Sequence, residues 1–154
     1  KDDFVFRTQE EAVNIVNDVT TGISALLFAI AGISLLVGGV GIMNIMYVAV
    51  TERTREIGLR KSVGANPSAI RRQFIYESIM VTLVGGVIGV IAGVAVTWIV
   101  STVATALGFD WPFVIPLIGV ILAFVSSTVI GIVFGYGPAS KAADLDPILA
   151  LRRS

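Results

Sequence analysis

The ionisable side chains of this chain are concentrated in one internal stretch, Thr51–Glu77, which reads TERTREIGLRKSVGANPSAIRRQFIYE. Arg53, Arg55, Arg60, Lys61, Arg71 and Arg72 stand there against Glu52, Glu56 and Glu77, a local balance of +3. Groups of these types at this density can pair with a partner protein or with anionic lipid. They offer little to covalent catalysis. The chain has no histidine and no cysteine, which removes thiol chemistry, disulfides and the usual zinc and haem ligands. No G-x-x-x-x-G-K-[ST] phosphate loop occurs, so nucleotide hydrolysis is not expected of this chain. Gly38-Gly39-Val40-Gly41 has the outline of a glycine-rich loop, but it lacks a lysine and lies in an apolar run. Helix packing is the simpler use for it. No catalytic residue, cofactor site or metal site is therefore expected, and no aromatic-plus-basic surface points to nucleic acid. The plain alternative for the basic stretch is a solvated connector without a partner.

The elements around this stretch are apolar. Of 154 residues 55% are hydrophobic and only 14% charged, where soluble domains carry roughly a quarter; the mean hydropathy is +0.90. The chain reads as an integral membrane protein. Three runs lack any ionisable group: residues 19–51, 78–109 and 111–140. A span needs about 20 apolar residues, so each run suits one tilted helix and none suits two with a turn. The spans are placed at Ile23–Val48, Ile79–Val103 and Val114–Phe134. The expected division is an extracytoplasmic end and stalk helix over 1–22, spans over 23–50, 78–103 and 114–135, a basic loop over 51–77, an outer loop over 104–113, and a tail over 136–154.

Orientation follows from the flanks. Lys1 and Arg7 face Asp2, Asp3, Glu10, Glu11 and Asp18 before the first span, a net −3 against +3 in the 51–77 loop. Asp110 is the one charge in the second connector, and Lys141, Arg152 and Arg153 outnumber Asp144 and Asp146 in the tail. Basic loops stay cytoplasmic, so the N-terminus is expected outside, the basic loop inside and the C-terminus inside. The chain begins at Lys1 without an initiator Met or a signal-peptide pattern, and is expected to be a processed or truncated piece of a longer polypeptide with a further span upstream. Lys1–Arg7 is expected to be a closing strand. Thr8 and Glu11 fit a capping box that starts a helix running into the first span.

The spans are rich in small residues. Gly85, Gly89 and Gly93 recur at four-residue spacing, and so do Gly119, Ala123, Ser127, Gly131 and Gly135. Such rows let a second helix approach closely, and Gly89→Leu should hold the backbones apart. Asn44, between Met43 and Met46, is expected either to bond another helix or to sit near the interface. No Asp, Glu, Lys or Arg lies in a span, which argues against an ion or proton relay. Trp98 and Trp111 flank the outer connector, and Tyr76 and Tyr136 the inner ends, as interfacial aromatics do.

Within the basic loop, Glu52–Arg55 and Glu56–Arg60 have the spacing of helical ion pairs, each worth about 0.2–0.5 kcal/mol. Gly64 suits the left-handed position after a helix, and Asn66-Pro67 reads as N-cap and first helical residue. The loop is thus a helix, an elbow and a helix. Ile57, Leu59 and Val63 do not share one clean apolar face.

The segment GGVGIMNIMYVAVTERTREIGLRKSVGA (Gly38–Ala65) resembles the signature of the FtsX-like permease family of ABC transporters, in its macrolide-exporter (MacB-type) branch. PASKAADLDPILALR (Pro138–Arg152) resembles the end of the same permeases, and DDFVFRTQEE the exit from their extracytoplasmic domain. The resemblance implies an all-α membrane fold of four spans, of which this chain holds the last three, with an N-terminal stalk helix and a cytoplasmic coupling helix. It implies a dimer of two permease copies in the bacterial inner membrane, working with a cytoplasmic ATPase that holds ATP and Mg. A periplasmic adaptor and an outer-membrane channel are the further partners of that branch. It also implies that Glu52, Arg53, Arg55, Glu56, Ile57, Leu59, Arg60 and Lys61 couple to the ATPase, with motion passing through the stalk and no cargo threading the bilayer.

Lipoprotein release or control of a cell-wall hydrolase is the alternative within the family. A small channel or a membrane anchor is the alternative outside it; a channel should offer a charged or carbonyl-lined filter, and none is visible. The topology is directly testable. A cysteine placed at Gly108 should label with an impermeant maleimide added from outside, and one at Ser68 should not.

Overall fold

The computed structural model describes the backbone of residues 2–152 and the side chains of residues 10–148 and 150. Lys1 and Arg153, counted above in the flank charges, lie outside the described residues, as does Ser154. Five helices follow in order: α1 (Asp2–Glu52), α2 (Thr54–Ser62), α3 (Pro67–Ala106), α4 (Leu117–Asp144) and α5 (Pro147–Arg152). No strand occurs among the described residues. Three helical stretches, Glu10–Glu52, Pro67–Ala106 and Leu117–Asp144, are long and apolar enough to cross a membrane. This is the all-α, three-span architecture expected.

The amino end differs from expectation. Residues 2–7 belong to α1 rather than to a strand, and Thr8 falls inside that helix rather than at its cap. A strand satisfies its backbone only against a neighbour, whereas a helix satisfies it alone; no neighbouring strand is present here to reward the extended form.

The chain divides into two units, Lys1–Gly38 and Gly39–Ser154. In the first, the apolar side chains of α1, among them Val16, Ile23, Leu27, Phe28 and Ile33, are exposed. The hydroxyls of Thr20 and Ser34 donate to the carbonyls of Val16 (2.7 Å) and Ile30 (2.9 Å). A hydroxyl bonded to its own helix needs no water, so these residues suit an apolar surrounding.

In the second unit, α3 and α4 pack antiparallel. Ile70, Phe74, Ser78, Thr82 and Gly86 form a four-residue ridge on α3; the first four are buried. The ridge meets Ser127, Gly131 and Gly135 on α4. A Cβ placed on Gly131 would stand 2.5 Å from Thr82 Oγ1 and 2.9 Å from Ile79 Cα. One on Gly86 would stand 2.6 Å from Ser127 Oγ, and one on Gly135 would strike Ser78. The Ser78 hydroxyl donates to the Gly131 carbonyl. Backbone this close gains dispersion contact that larger residues would prevent.

The small-residue row on α3 is therefore Ser78–Thr82–Gly86. Gly85, Gly89 and Gly93 do not line this contact: a Cβ on any of them meets nothing within 4 Å in this chain. Gly119 has only the Pro116 ring nearby, at 3.5 Å. Ala123 is half-buried, and its carbonyl accepts the hydroxyls of Ser126 (3.0 Å) and Ser127 (2.8 Å). Asn44 is exposed and bonds no other helix among the described residues.

Gly108 (φ +87) ends α3 in the left-handed conformation. Its N–H donates to Thr105 O (3.0 Å) and that of Phe109 to Ala104 O (3.0 Å), the paired closure of a Schellman motif. The following connector is tied back by Ser101 Oγ, which donates to Trp111 O at 2.9 Å. α4 begins at Leu117 rather than at Val114, because a residue before proline is driven out of helical geometry, and Ile115 precedes Pro116. α4 then runs past Phe134 to Asp144 and contains Pro138.

Overpacking a tight contact costs about 1–3 kcal/mol. Gly131→Leu should therefore lower the yield and thermal midpoint of purified protein markedly. Gly89→Leu should leave the α3–α4 contact intact, as read by cross-linking a cysteine pair across that contact.

Candidate functional site

The basic stretch is built from local signals. α1 stops at Glu52, and Arg53 takes φ −95, ψ 13. Around it the hydroxyls of Thr51 and Thr54 bond back to Val48 O (2.7 Å), Val50 O (3.0 Å) and Thr51 O (2.8 Å), competing with the backbone ladder. The joint is slight, since Arg53 N–H still reaches Ala49 O at 3.1 Å and Arg53 O accepts from Ile57 at 3.0 Å. The expected Glu52–Arg55 pair does not form across it; Arg53 instead reaches Glu77 on α3, at 3.2 and 3.3 Å to its two oxygens. Glu56 pairs with Arg60 as expected, and Arg60 also donates to Gln73 Oε1 at 2.9 Å. These groups are largely exposed, so each link contributes only about 0–1 kcal/mol.

α2 ends in a second Schellman closure. Gly64 has φ +92; its N–H donates to Lys61 O and that of Ala65 to Arg60 O, both at 3.0 Å. Asn66 Oδ1 then accepts from Ser68 N at 2.9 Å, with Pro67 opening α3. Asp146-Pro147 repeats this arrangement: Asp146 Oδ1 accepts from Ile148 N at 2.8 Å and opens α5. That helix lies in what the sequence reading treated as a tail. The repeated Asx-Pro pair was the signal for it.

α2 has two faces. Ile57 and Gly58 are buried, and Thr54 and Lys61 half-buried. These four positions form one stripe at three- and four-residue spacing. Ile57 joins an apolar cluster with Met46 and Val50 of α1, Ile70 and Phe74 of α3, and Ala139 and Ala142 of α4. Gly58 lies on α5, where an added Cβ would stand 2.6 Å from Ala150 Cβ. The Lys61 ammonium donates to Ala143 O (2.7 Å) and Leu145 O (2.6 Å), at the carboxyl end of α4. Of the residues expected to face a partner, Ile57 and Lys61 thus point inward. Arg55, Glu56, Leu59 and Arg60 point outward. With Glu52 and Arg53, three of these (Arg55, Glu56 and Leu59) line a hollow of about 360 Å³.

Two further cations brace the neighbourhood. Arg71 lies 6.0 Å from the Tyr136 ring centroid and 3.8 Å from Asp144, and Lys141 lies 5.1 Å from that of Tyr47. Gly58 and Ala150 were not singled out by sequence reasoning, and Asp146 and Lys141 entered it only as flank charges. Among the described residues no cluster of acidic side chains suited to a metal ion occurs.

Compared with known proteins, residues 28–147 match the family model described as FtsX-like permease C-terminal. The chain belongs to the FtsX-like permease family. It is 48% identical over 151 residues to the probable syringafactin export ATP-binding/permease protein SyfD of Pseudomonas syringae pv. syringae, covering 98% of this chain and 22% of that protein. It is 51% identical over 142 residues to the macrolide export ATP-binding/permease protein MacB of Rhodopirellula baltica, covering 92% of this chain and 20% of that protein. A third relative is the uncharacterized ABC transporter permease YknZ of Bacillus subtilis, 46% identical over 152 residues, covering 99% of this chain and 37% of that protein. The permease chain thus spans between about a fifth and two-fifths of the length of these relatives. It is a multi-pass membrane protein, and the matched segment includes α2, α3, α4 and the elbow between α2 and α3.

Gly58→Val should displace α5 from α2, because even the first added carbon has no room. Faster amide exchange over residues 147–150, with α3 unchanged, is the measurement that checks it.

Proposed function

We propose that this chain is the membrane part of an ABC exporter of the macrolide-exporter type, and that α2 is the helix on which a cytoplasmic ATPase acts. The observation that carries the reading is the division of α2 into two faces. Its inner face is built into a cluster that joins all three spans, and its outer face presents Leu59 among Arg55, Glu56 and Arg60. A helix so mounted can receive a push and deliver it to the spans. A solvated connector would need neither the buried stripe nor the definite stop at Gly64. The names of the relatives, which couple ATP binding to permease function, support this reading.

In this proposal, ATP and Mg are held and hydrolysed outside this chain, whether on the same polypeptide, as the names SyfD and MacB indicate for those proteins, or on a separate one. The basic loop faces the cytoplasm of a bacterial inner membrane, the N-terminal part of α1 leads outward, and two permease copies work together. Spans without ionisable residues suit motion passed along the helices rather than cargo crossing between them. The relatives are named for different cargoes yet are similarly close over this segment, so cargo choice belongs to other parts of the protein. A periplasmic adaptor and outer channel would contact those other parts.

Leu59 is 57% exposed and burying such a side chain contributes about 1.5–3 kcal/mol, so it is the best single anchor. Leu59→Asp should weaken ATPase docking roughly tenfold or more and reduce export, with the thermal midpoint of the permease unchanged. A cysteine at Glu56 should cross-link to the ATPase, and one at Gly108 should not. Full export by the Asp variant, with no cross-link from position 56 across a panel of ATPase positions, would return α2 to the role of a connector.

A further inference from the structure

α2 is continuous in the backbone with α1 through Arg53 and with α3 through residues 63–66. It has no backbone link to α4, the third span. Beside the apolar cluster that Ile57 shares with Ala139 and Ala142, what joins it to α4 is Lys61, whose ammonium donates to the carbonyls of Ala143 at 2.7 Å and Leu145 at 2.6 Å. Those carbonyls lie where α4 ends without an intrahelical partner and where the helix dipole is negative. Other ways out of α2 are softer. The elbow to α3 holds Val63, which is 80% exposed, and Gly64 in the left-handed conformation, and the Arg60–Gln73 link across it is exposed to solvent. Lys61 by contrast is half-buried, on the stripe with Ile57 and Gly58. One residue-turn away, Gly58 admits Ala150 of α5 to backbone distance. α5 follows α4 after two residues and is capped by Asp146. The same inward face of α2 therefore grips both the end of α4 and the helix hung from it.

We propose that Lys61 is a positioning residue that fastens α2 to the carboxyl end of α4, so that α2, α5 and the third span move as one body. α5 is then part of the coupling device. The grip has two points, the Ala143 carbonyl in the last turn of α4 and the Leu145 carbonyl in the extended residue that follows it. It also explains the chemistry of the stripe. A lysine supplies donors for the bare carbonyls, and a glycine lets α5 come close enough for them to be reached. This proposal rests on the reading of α2 as the ATPase-facing helix.

The test uses the complete permease assembled with its ATPase in liposomes. Lys61→Met keeps the aliphatic stem and removes the donors. Charge-assisted bonds of this kind are among the stronger ones, so amide exchange over residues 147–150 should rise about tenfold, and export per ATP hydrolysed should fall at least several-fold. Lys61→Arg can reach the same carbonyls and should restore both. Ala150→Leu breaks the grip from the other side without altering Lys61, and should reproduce the loss even if the Met variant fails to fold. Unchanged α5 exchange in Lys61→Met would overturn the fastening. Faster exchange with unaltered export per ATP, in either Lys61→Met or Ala150→Leu, would overturn its part in coupling. If instead Leu59→Asp exports normally and position 56 does not cross-link, the ATPase-facing role of α2 fails, while the exchange result still decides whether Lys61 fastens α2 to α4.

Discussion

Apolar side chains gain little by meeting each other inside a bilayer, since lipid tails are as apolar as leucine. They gain a great deal where water competes for the surface. The position of the core in this chain follows from that difference. Met46, Val50, Ile57, Ile70, Phe74, Ala139 and Ala142 gather at the ends of the spans beside the basic stretch, and not midway along them. The first span arrives there, α2 and α3 leave from there, and α4 ends there. The rest of the second unit depends on this junction, because it holds the end of α1, α2, α3 and α4 together.

Along the spans a different interaction takes over. α3 and α4 meet through Ser78, Thr82, Gly86, Ser127, Gly131 and Gly135, where the absence of bulk lets backbones touch. Their hydroxyls are turned into the helices or across to a carbonyl, so close packing leaves little polar surface exposed to hydrocarbon. Two regimes thus operate in one pair of helices: dispersion between small residues along the spans, and exclusion of water from large ones at the junction. Pro138, almost fully buried, stands where the first gives way to the second.

The charged residues sort themselves by the same logic. On α2, those that face outward remain hydrated and pair weakly, as Glu56 does with Arg60. The cation that faces inward, Lys61, is matched to carbonyls left bare by a helix end. A charge on the inner face would be costly without such partners. Its presence there means that the geometry of α4 and α5 is written into the side chain of a helix more than 80 residues earlier in the chain.

Much of this was determined by the sequence alone. Runs without charge mark the spans, because an ionised group in hydrocarbon is too costly to place casually. Gly64 and Asn66-Pro67 mark the elbow, because few residues tolerate a left-handed turn and few others can cap the helix that follows. The tertiary structure decided the rest. Gly85 and Gly86 are neighbours in sequence, but about 100° of helix rotation separates their faces, and only the position of α4 selects Gly86. The buried stripe of α2 has a threonine, a glycine and a lysine beside one isoleucine, so no apolar period reveals it. α5 reads as part of a tail until Gly58 gives it a surface to lie on. Sequence reports what a residue can do within its own turn or in its solvent. Which face it presents, and to what, depends on helices joined to it through space.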